Sequence, residues 1–463
     1  MVKPRKSFNK RRKMAIAAVV LLLAIVIPVV YFIHNYSTAL AVPSLIKDSN
    51  LKVEIMVNGL SSPTSMAFID NNNILVLEKG GQVRLVSNGV LQAKPVLQVS
   101  VDAESERGLL GIAVMNSSNP LNLNNNTSAN KNNNKFVFLY YTESIGGGTD
   151  LRNRVYKYTW DEQNKSLINP VLILDLPALP GPNHDGGKLV IGPDHYLYAV
   201  IGDLNHRGQL QNIKDGTPPD DTSVIFRVNP NDGLASKDNP FINDSNAVMH
   251  KYYAYGIRNS FGLAFDPLTG YLWQTENGPD AYDEINVVKP GFNSGWIKVM
   301  GPLSRNEITT TITTASGTNN PPQLVNFPGA HYADPVFSWK NPVAVTSIEF
   351  IKSLAMGEKY KNNIFVGDYN NGNLYYFRVN KTRNGIEPAI NQVKTGGLSN
   401  LIVDNDNQLA AVTFGTGFGG VSDIKTGPKD GFVYVLSIND GSIYRIRPSL
   451  QSISTPTTNT KNR

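Results

Sequence analysis

Residues 184–203 read HDGGKLVIGPDHYLYAVIGD, and from Lys188 onward they contain the repeating unit of this chain. One apolar strand ends in a Gly-Pro-Asp turn, and a second apolar strand runs back and finishes on a carboxylate. Tandem units of paired strands are typical of a β-propeller, in which each unit is one blade. Similar units begin at five other positions, which are Met66, Gly111, Gly262, Ser347 and Asn400.

The repeats predict an all-β fold, a six-bladed β-propeller, preceded by one N-terminal transmembrane helix. Blades of ~40–45 residues with loop insertions would fill residues 51–448 as one domain. Closely spaced strands need many turn-forming residues, and the chain has 39 Gly and 28 Pro. The last residues, 449–463, are polar and are expected to be disordered.

The N-terminus predicts a membrane anchor. Residues 1–13 carry seven Lys and Arg side chains, and an unbroken apolar run follows from Met14 to Ile33. A helix needs about 20 apolar residues to cross a bilayer, whereas ~7–15 form the core of a signal peptide. Because basic residues stay in the cytoplasm, residues 14–36 would form a single-pass anchor in the cell membrane with the propeller outside. The alternative is secretion after cleavage near Ala41, since the sequence there has the small-x-small pattern of a cleavage site.

Charge and cysteine content exclude several classes of function. The net charge is +6, but the seven N-terminal cations exceed this excess, so the exported part is close to neutral. It shows no Lys/Arg cluster interleaved with aromatic residues, and no binding to nucleic acid is expected. Because there is no cysteine in the 463 residues, disulfides and thiolate metal sites are excluded. The domain has to be stable through burial of its core alone.

Propeller geometry brings together residues that are distant in sequence. The start of the first strand and the end of the second lie at the same mouth of the central channel, where loops on a rigid scaffold carry function. His184 precedes one first strand, and Asp203 ends the strand that pairs with it. An imidazole oriented by a carboxylate is a general base near neutral pH. The alternative is a buried histidine that bonds to a carbonyl.

Three other features point to the same mouth. Arg258 and Asn259 precede a first strand, where the guanidinium could bind an anion or polarise a carbonyl; a structural salt bridge is the alternative. Gly278-Pro279, followed by carboxylates, offers carbonyls to a hard cation such as calcium, although acidic turns are common. Trp339 could stack on a sugar or a planar cofactor, or pack between blades.

The ordered set of motifs resembles the glucose/sorbosone dehydrogenase family, the soluble quinoprotein aldose sugar dehydrogenases. The similarity extends over most of residues 51–448, and the set is more specific than any one motif. It implies a propeller that holds pyrroloquinoline quinone and calcium at the channel mouth and oxidises an aldose. The matching stretches are GLLGIA (108–113), HDGGKLVIGPDHYLYAVIGD (184–203), YGIRNSFGLAFDP (255–267) and ENGPDAYDEINVVKPGFNSGW (276–296).

The resemblance also implies a role for each matching residue. His184 would take the proton from the anomeric hydroxyl while hydride passes to the quinone, and Asp203 would support His184. The cofactor-binding positions are Arg258, which is also a catalytic candidate, Asn259, Glu106 and Trp339, and the calcium ligands are the carbonyls of Gly278 and Pro279.

One amide position and three cationic positions of the family differ in this chain. Glu106 stands where the family has a glutamine, and Asn370 lies near the position of a lysine that pairs with the cofactor. An Arg-x-Arg that grips the cofactor aligns with residues 397–399, which are Gly-Leu-Ser. Pyrroloquinoline quinone has three carboxylates, so losing three cations weakens the electrostatic attraction. Lys394 or Lys425 could compensate if a loop brought either side chain to the site.

These observations favour a membrane-anchored, outward-facing quinoprotein sugar dehydrogenase that oxidises an aldose to its lactone. The missing cations keep two alternatives open, a non-catalytic surface propeller that binds glycans and a calcium-dependent lactonase. The sequence identifies neither the sugar nor the external electron acceptor.

Overall fold

The computed structural model describes residues 45–116, 134–147, 150–306, 312–313, 319–387 and 398–449. The predicted cytoplasmic segment (1–13), the predicted anchor (14–36), the alternative cleavage site near Ala41 and the tail beyond residue 449 lie outside these ranges. Within them, no helix combines the length and the apolar character that crossing a membrane requires.

The described residues are built almost entirely from short strands. The first sixteen are β1 (Leu45–Ile46), β2 (Leu51–Val57), β3 (Pro63–Phe68), β4 (Asn73–Glu78), β5 (Gln82–Ser87), β6 (Val90–Leu91), β7 (Leu97–Gln98), β8 (Leu109–Asn116), β9 (Lys135–Ser144), β10 (Leu151–Asp161), β11 (Ser166–Pro177), β12 (Leu189–Ile191), β13 (Leu197–Ile201), β14 (Val224–Val228), β15 (Tyr252–Tyr255) and β16 (Gly262–Phe265). The next sixteen are β17 (Leu272–Glu276), β18 (Asp283–Val288), β19 (Phe292–Asn293), β20 (Ile312–Thr313), β21 (Asn319–Asn320), β22 (His331–Tyr332), β23 (Phe337–Trp339), β24 (Val345–Phe350), β25 (Ile364–Asp368), β26 (Leu374–Val379), β27 (Ile386–Glu387), β28 (Ile402–Val403), β29 (Thr413–Thr416), β30 (Val421–Thr426), β31 (Val433–Ser437) and β32 (Ser442–Pro448).

Helical structure is limited to short segments. In the described ranges, the α-helix α1 (Asp406–Val412) is accompanied by single 3-10 turns. These turns are Ile145–Gly147, Gln209–Gln211, Ala247–Lys251, Leu303–Arg305 and Leu398–Asn400.

The strands of the described ranges form six sheets of four to six strands and one small hairpin of β20 and β21. Sheet 1 contains β3 to β7 and sheet 2 contains β8 to β11. Sheet 3 contains β12 to β15 with β19 and β22, and sheet 4 contains β16 to β18 with β23 and β28. Sheet 5 contains β24 to β27 with β1 and β29, and sheet 6 contains β30 to β32 with β2.

The six sheets surround a channel. Their inner strands are β3, β8, β12, β16, β24 and β30; each contacts the next, and β30 contacts β3. Sheet 6 joins an early strand to the last strand of the described chain, because Leu51 of β2 lies opposite Pro448 of β32. A closed ring leaves only short sheet edges exposed. The predicted all-β propeller is confirmed.

The turn between the first two strands of a unit has a recurring local cause. An aspartate begins the turn, and its carboxylate accepts a hydrogen bond from the backbone N–H two residues later, an Asx-turn that reverses the chain. The N–H to carboxylate pairs are Asn72 to Asp70 (2.8 Å), Tyr196 to Asp194 (3.2 Å), Leu268 to Asp266 (3.0 Å) and Phe432 to Asp430 (3.0 Å). In sheets 1, 3, 4 and 6 the repeated unit is therefore a strand, an Asx-turn and a second strand.

The prediction that a repeat unit begins at Asn400 is wrong. Its first strand, β28, pairs with β23 and belongs to sheet 4, and β29 belongs to sheet 5. Between them α1 forms because the side chain of Asn405 caps the helix by accepting the N–H of Gln408 at 3.1 Å. The inner strand of sheet 6 is instead β30, which starts at Val421.

Candidate active site

A cavity of about 700 Å³ lies where the inner strands begin. A space of this size suits a small cofactor or substrate. Every sheet or the loop leading to it contributes to the lining, for example through Thr64, Leu110, His184, Asn259, Thr346 and Ser422 in the order of sheets 1 to 6.

His184 and Asp203 meet at this cavity. His184 precedes β12, Asp203 follows β13, and these strands pair antiparallel, so both residues come to the same end of the sheet. The Nδ1 atom of His184 lies 2.5 Å from Oδ1 of Asp203. When Nδ1 carries the proton of this hydrogen bond, Nε2 keeps its lone pair and can accept a proton. The contact that the repeat predicts is present.

Close backbone packing fixes the His184 loop. His184 has φ 66°, a left-handed conformation that is uncommon for a residue with a side chain. Gly202 lies against this loop, and a Cβ at Gly202 would be 2.4 Å from the carbonyl oxygens of both His184 and Arg258. Only glycine therefore lets the three segments approach each other. Asp185 points away from the cavity, with Oδ1 accepting Nδ2 of Asn153 at 2.9 Å.

The second oxygen of Asp203 is also engaged. Its Oδ2 accepts the indole N–H of Trp296 at 2.7 Å, and Oδ1 accepts the backbone N–H of Asn205 at 2.8 Å. Asp203 is 4% exposed and does not line the cavity, so it acts on a ligand only through His184. Hydrogen bonds to both oxygens hold the carboxylate in place, which orients the imidazole ring.

Glu106 connects the loops of sheets 2, 3 and 4. Its Oε2 accepts the backbone N–H of His184 at 2.6 Å and Nδ2 of Asn259 at 2.9 Å. Glu106 also lines the cavity. The carboxylate of Glu106 therefore positions both His184 and Asn259.

Arg258 forms the cationic part of this wall. Its Nη1 donates to the carbonyl of Asn277 at 3.0 Å, and its guanidinium lies 5.3 Å from the ring centroid of Trp296. Burial lowers the pKa of Arg258, while the carboxylates of Asp203 and Glu106 oppose the shift; a guanidinium stays charged in proteins. The arginine is held by a carbonyl and an aromatic face, so its charge is directed to the cavity that it lines.

Three buried polar atoms in this wall have no partner among the described residues. They are Nε of Arg258, Oδ1 of Asn259 and Oδ1 of Asn277, and all three residues line the cavity. A buried polar atom without a hydrogen bond costs about 1–3 kcal/mol. A ligand with both acceptors and donors would satisfy these three atoms, as the predicted cofactor site requires.

Gly278 and Pro279 also line the cavity, as predicted for the calcium turn. The N–H of Gly278 donates to Oδ1 of Asp283 at 3.0 Å, and Oδ2 of Asp283 accepts the N–H of Val343 at 2.8 Å. Asp283 therefore stabilises the turn. In the described ranges, no three His, Asp or Glu side chains are grouped to hold a metal ion.

The two glutamates flanking this turn lie behind the wall. Glu276 is fully buried and accepts the backbone N–H of Arg258 at 2.7 Å and the hydroxyl of Ser294 at 2.6 Å. Burial raises the pKa of Glu276 to about 7. Burial and the neighbouring Glu276 raise the pKa of Glu284 to about 8. Glu276 therefore stabilises the arginine loop from behind, and Glu284 accepts hydrogen bonds from Asn286 and the backbone N–H of Gly301.

The aromatic wall predicted at Trp339 is wrong. Trp339 lies in β23, three strands out from the inner strand of sheet 4, and is fully buried away from the cavity lining. Its ring packs against Phe337, Tyr375 and Phe377, with centroids 4.8, 5.2 and 5.9 Å away. Phe261 and Tyr369 are aromatic residues that line the cavity. Trp296, the last residue of the matching stretch 276–296, contacts the site through its hydrogen bond to Asp203.

The far side of the cavity is different. Asn370 lines it, whereas Leu398 and Ser399 of the Arg-x-Arg positions do not. Lys394 lies outside the described residues, and Lys425 pairs with Asp423.

Sequence reasoning missed Lys188. This residue lines the cavity and directly follows the two glycines of the His184 motif. A lysine at the start of an inner strand was the available signal.

The fold and the site define a class of protein, a propeller enzyme with a carboxylate-oriented histidine and an arginine facing one cavity at the channel. The chain belongs to the glucose/sorbosone dehydrogenase family, whose model matches residues 60–445. The resemblance inferred from the motifs is confirmed, and the chain is an oxidoreductase.

Individual relatives agree with this placement. The chain is 26% identical to the aldose sugar dehydrogenase YliI of Escherichia coli over 406 residues, which covers 86% of this chain and 94% of the relative. It is 32% identical to quinoprotein glucose dehydrogenase B of Acinetobacter calcoaceticus over 279 residues, 55% of this chain and 54% of the relative. The structure of a pyrroloquinoline-quinone-bound aldose sugar dehydrogenase from Streptomyces coelicolor superposes with a TM-score of 0.59 at 21% identity, covering 87% of this chain and 99% of that one.

Proposed function

We propose that this chain is a pyrroloquinoline-quinone-dependent sugar dehydrogenase that oxidises an aldose at its anomeric carbon to the lactone. The observation that carries the proposal is the 2.5 Å contact between His184 Nδ1 and Asp203 Oδ1 beside Arg258 at the cavity. The names of the relatives in Escherichia coli and Acinetobacter support the same reaction.

His184 acts as the general base. Asp203 holds the proton on Nδ1, so Nε2 accepts the proton of the anomeric hydroxyl as the C–H bond of the anomeric carbon breaks. The carboxylate then stabilises the imidazolium that forms. Trp296 and Asn205 keep Asp203 in this orientation through hydrogen bonds of 2.7 and 2.8 Å.

The cavity residues fit the predicted cofactor. Arg258 and Lys188 offer cations to its carboxylates, while Nε of Arg258 and Oδ1 of Asn259 lack other partners among the described residues. Pyrroloquinoline quinone, when bound, supplies the acceptor for the hydride that leaves the anomeric carbon. Arg258 and Asn259 bind and orient it, and Glu106 fixes Asn259 with a 2.9 Å hydrogen bond.

Calcium is part of the proposal. Gly278 and Pro279 line the cavity, and hydrogen bonds from Gly278 and Val343 to Asp283 hold their turn rigid. Main-chain carbonyls are hard oxygen ligands of the kind calcium prefers. A cation at this turn would lie on the same wall as Arg258 and add to its attraction for carboxylates.

We also propose the finer architecture of the chain. The ring of six inner strands supports six blades, closed by the pairing of β2 with β32. The seven cations before the apolar run from Met14 to Ile33 support a membrane anchor with the propeller outside the cell. Secretion after cleavage near Ala41 is the alternative.

The test uses the full chain, purified in detergent and loaded with calcium. Pyrroloquinoline quinone is titrated and followed by absorbance, and reduction of a dye is then measured with a panel of aldoses. Saturable binding with sugar-dependent dye reduction is expected. Absence of binding at micromolar cofactor would contradict the proposal and favour a glycan-binding propeller or a lactonase, because Asn370 replaces a cation at the cavity.

A further inference from the structure

A buried cation forms part of the cavity lining below His184. Lys188 is 5% exposed, and its side chain reaches from the start of β12 across the channel to β3 and β30. Its Nζ lies 2.7 Å from Oδ1 of Asp423 and 3.5 Å from the hydroxyl of Ser65. An ammonium group has three donors, so this pairing leaves capacity toward the cavity.

Asp423 is shared between two cations. Lys425 lies 3.3 Å from the same Oδ1 atom that accepts Lys188. Asp423 is completely buried and also accepts the hydroxyl of Ser65 at 3.1 Å and the N–H of Met66 at 3.0 Å. These contacts fix the carboxylate, and with it the position of both ammonium groups.

The cluster around Lys188 contains two ammonium groups and two carboxylates. Burial raises the pKa of Asp423, but Lys188 and Lys425 outweigh this effect and lower it to about 2. Burial lowers the pKa of Lys188 to about 8, which leaves it cationic at neutral pH. The other carboxylate facing the cluster, Glu349 on β24, accepts the N–H of Thr426 at 3.1 Å. Of these four groups Lys188 is the one that lines the cavity, so its ammonium group is the one placed to bind an anion there.

The other cations of the described lining are held in place by backbone carbonyls. Arg258 donates to the carbonyl of Asn277, and Lys79 donates to the carbonyls of Ala103 and Ser105. Lys188 differs because its protein partner is itself shared. Lys188 is also not one of the positions at which the sequence lacks the expected cations, which are Asn370 and residues 397–399.

We propose that Lys188 binds a carboxylate of the ligand in the cavity, with Asp423 and Lys425 fixing its position, and that this cation replaces the missing clamp. The inference rests on the proposed function, in which the carboxylate belongs to pyrroloquinoline quinone. An acidic sugar such as glucuronate presents the same chemistry and is the second possible source.

Lys188→Met tests the assignment, with Lys425→Met as the matched control. Each variant leaves Asp423 paired with one remaining lysine, so both proteins are expected to fold, which melting temperature checks. The dissociation constant of pyrroloquinoline quinone is measured by absorbance on the calcium-loaded full chain without sugar. Lys188→Met should raise it about tenfold or more, the value of one charge-assisted hydrogen bond, whereas Lys425→Met should raise it at most about threefold. Lys188→Arg should stay within about threefold of wild type.

Each result has a defined meaning. Unchanged affinity in Lys188→Met, or equal losses in both Met variants, would overturn the role of Lys188 while leaving the proposed function intact. If the wild-type protein binds glucuronate but no quinone, and Lys188→Met abolishes that binding, the anion site stands and the proposed function fails. Binding of neither ligand would overturn both.

Discussion

The two halves of the cavity differ in the chemistry they carry. Sheets 2 to 4 supply Glu106, His184, Arg258 and the Gly278-Pro279 turn, which hydrogen bonds connect into one wall. In the described part of sheets 1, 5 and 6, Lys79 is the single charged side chain of the lining. In the proposed function, the first half would serve proton transfer. Binding of a ligand's carboxylate would depend on Lys188, which reaches across the channel from sheet 3.

Removal of the base should give the largest effect. His184→Ala is expected to lower turnover at least roughly 1,000-fold, because the variant lacks the imidazole that accepts the proton in the proposed function. The dissociation constant of the quinone should stay within about threefold, since the cations remain. Steady-state dye reduction and a binding titration measure the two quantities. His195→Ala, at an exposed turn of the same sheet, is the control and should retain full activity. Unchanged turnover in His184→Ala would contradict the assignment of proton transfer to the half formed by sheets 2 to 4.

Substitution of Asp203, the carboxylate that contacts His184, should lower turnover less than substitution of His184. Asp203→Asn is expected to lower turnover about 100-fold, because an amide does not stabilise the imidazolium and can favour the wrong tautomer. Trp296→Phe removes only the 2.7 Å hydrogen bond to Oδ2 and should cost less than about tenfold. The pH dependence of turnover measures both variants. An equal loss in both would mean that Asp203 contributes through the indole contact and not through His184.

A cation added to the half of the cavity formed by sheets 1, 5 and 6 should improve binding of the quinone. Asn370→Lys is expected to tighten quinone binding about three- to tenfold at low salt, and the gain should shrink at high salt through screening. Asn371→Lys adds the same charge next to the cavity lining and is the control. Titrations at two ionic strengths distinguish the variants. Equal gains would indicate general attraction and not contact at the position of the family's lysine.

Local motifs explain why one half could be predicted. The contact of His184 with Asp203 joins the two strands of one repeat, 19 residues apart, so the repeat itself places them. Arg258 and Asn259, likewise, stand at the start of an inner strand and reach the cavity as expected. Strand order within a blade was harder to predict, which is why Trp339 was assigned to the site although β23 lies far from the channel.

Long-range contacts explain why the sequence did not predict the cluster of Lys188, Asp423 and Lys425. Lys188 and Asp423 are 235 residues apart and meet only when the ring closes. The sixth unit was also misplaced, because the apolar residues after Asn400 form α1 and two strands of earlier sheets. With β30 identified as the inner strand, Asp423 and Lys425 fall on the channel, which the sequence alone does not show.

The buried glutamates behind the wall of sheets 2 to 4 should also make the free energy of unfolding depend on pH. This is the smallest of the predicted effects. Burial raises the folded pKa of Glu276 to about 7, and burial with the neighbouring Glu276 raises that of Glu284 to about 8. Between pH 5 and 8 the folded state holds more protons than the unfolded state, so the free energy of unfolding should fall as pH rises. The slope is about 1.4 kcal/mol per pH unit for each excess proton. Denaturant unfolding at several pH values measures it.

Glu284→Gln should flatten this slope whatever its effect on stability at one pH, because the variant has no proton to lose at this position. Glu162→Gln is the control, since a hydrogen bond from Lys165 lowers the pKa of Glu162 and moves its titration below this window. A slope that Glu284→Gln leaves unchanged would show that the buried pair is not the source. A flattened slope would show that Glu284 is a source of this dependence of stability on pH.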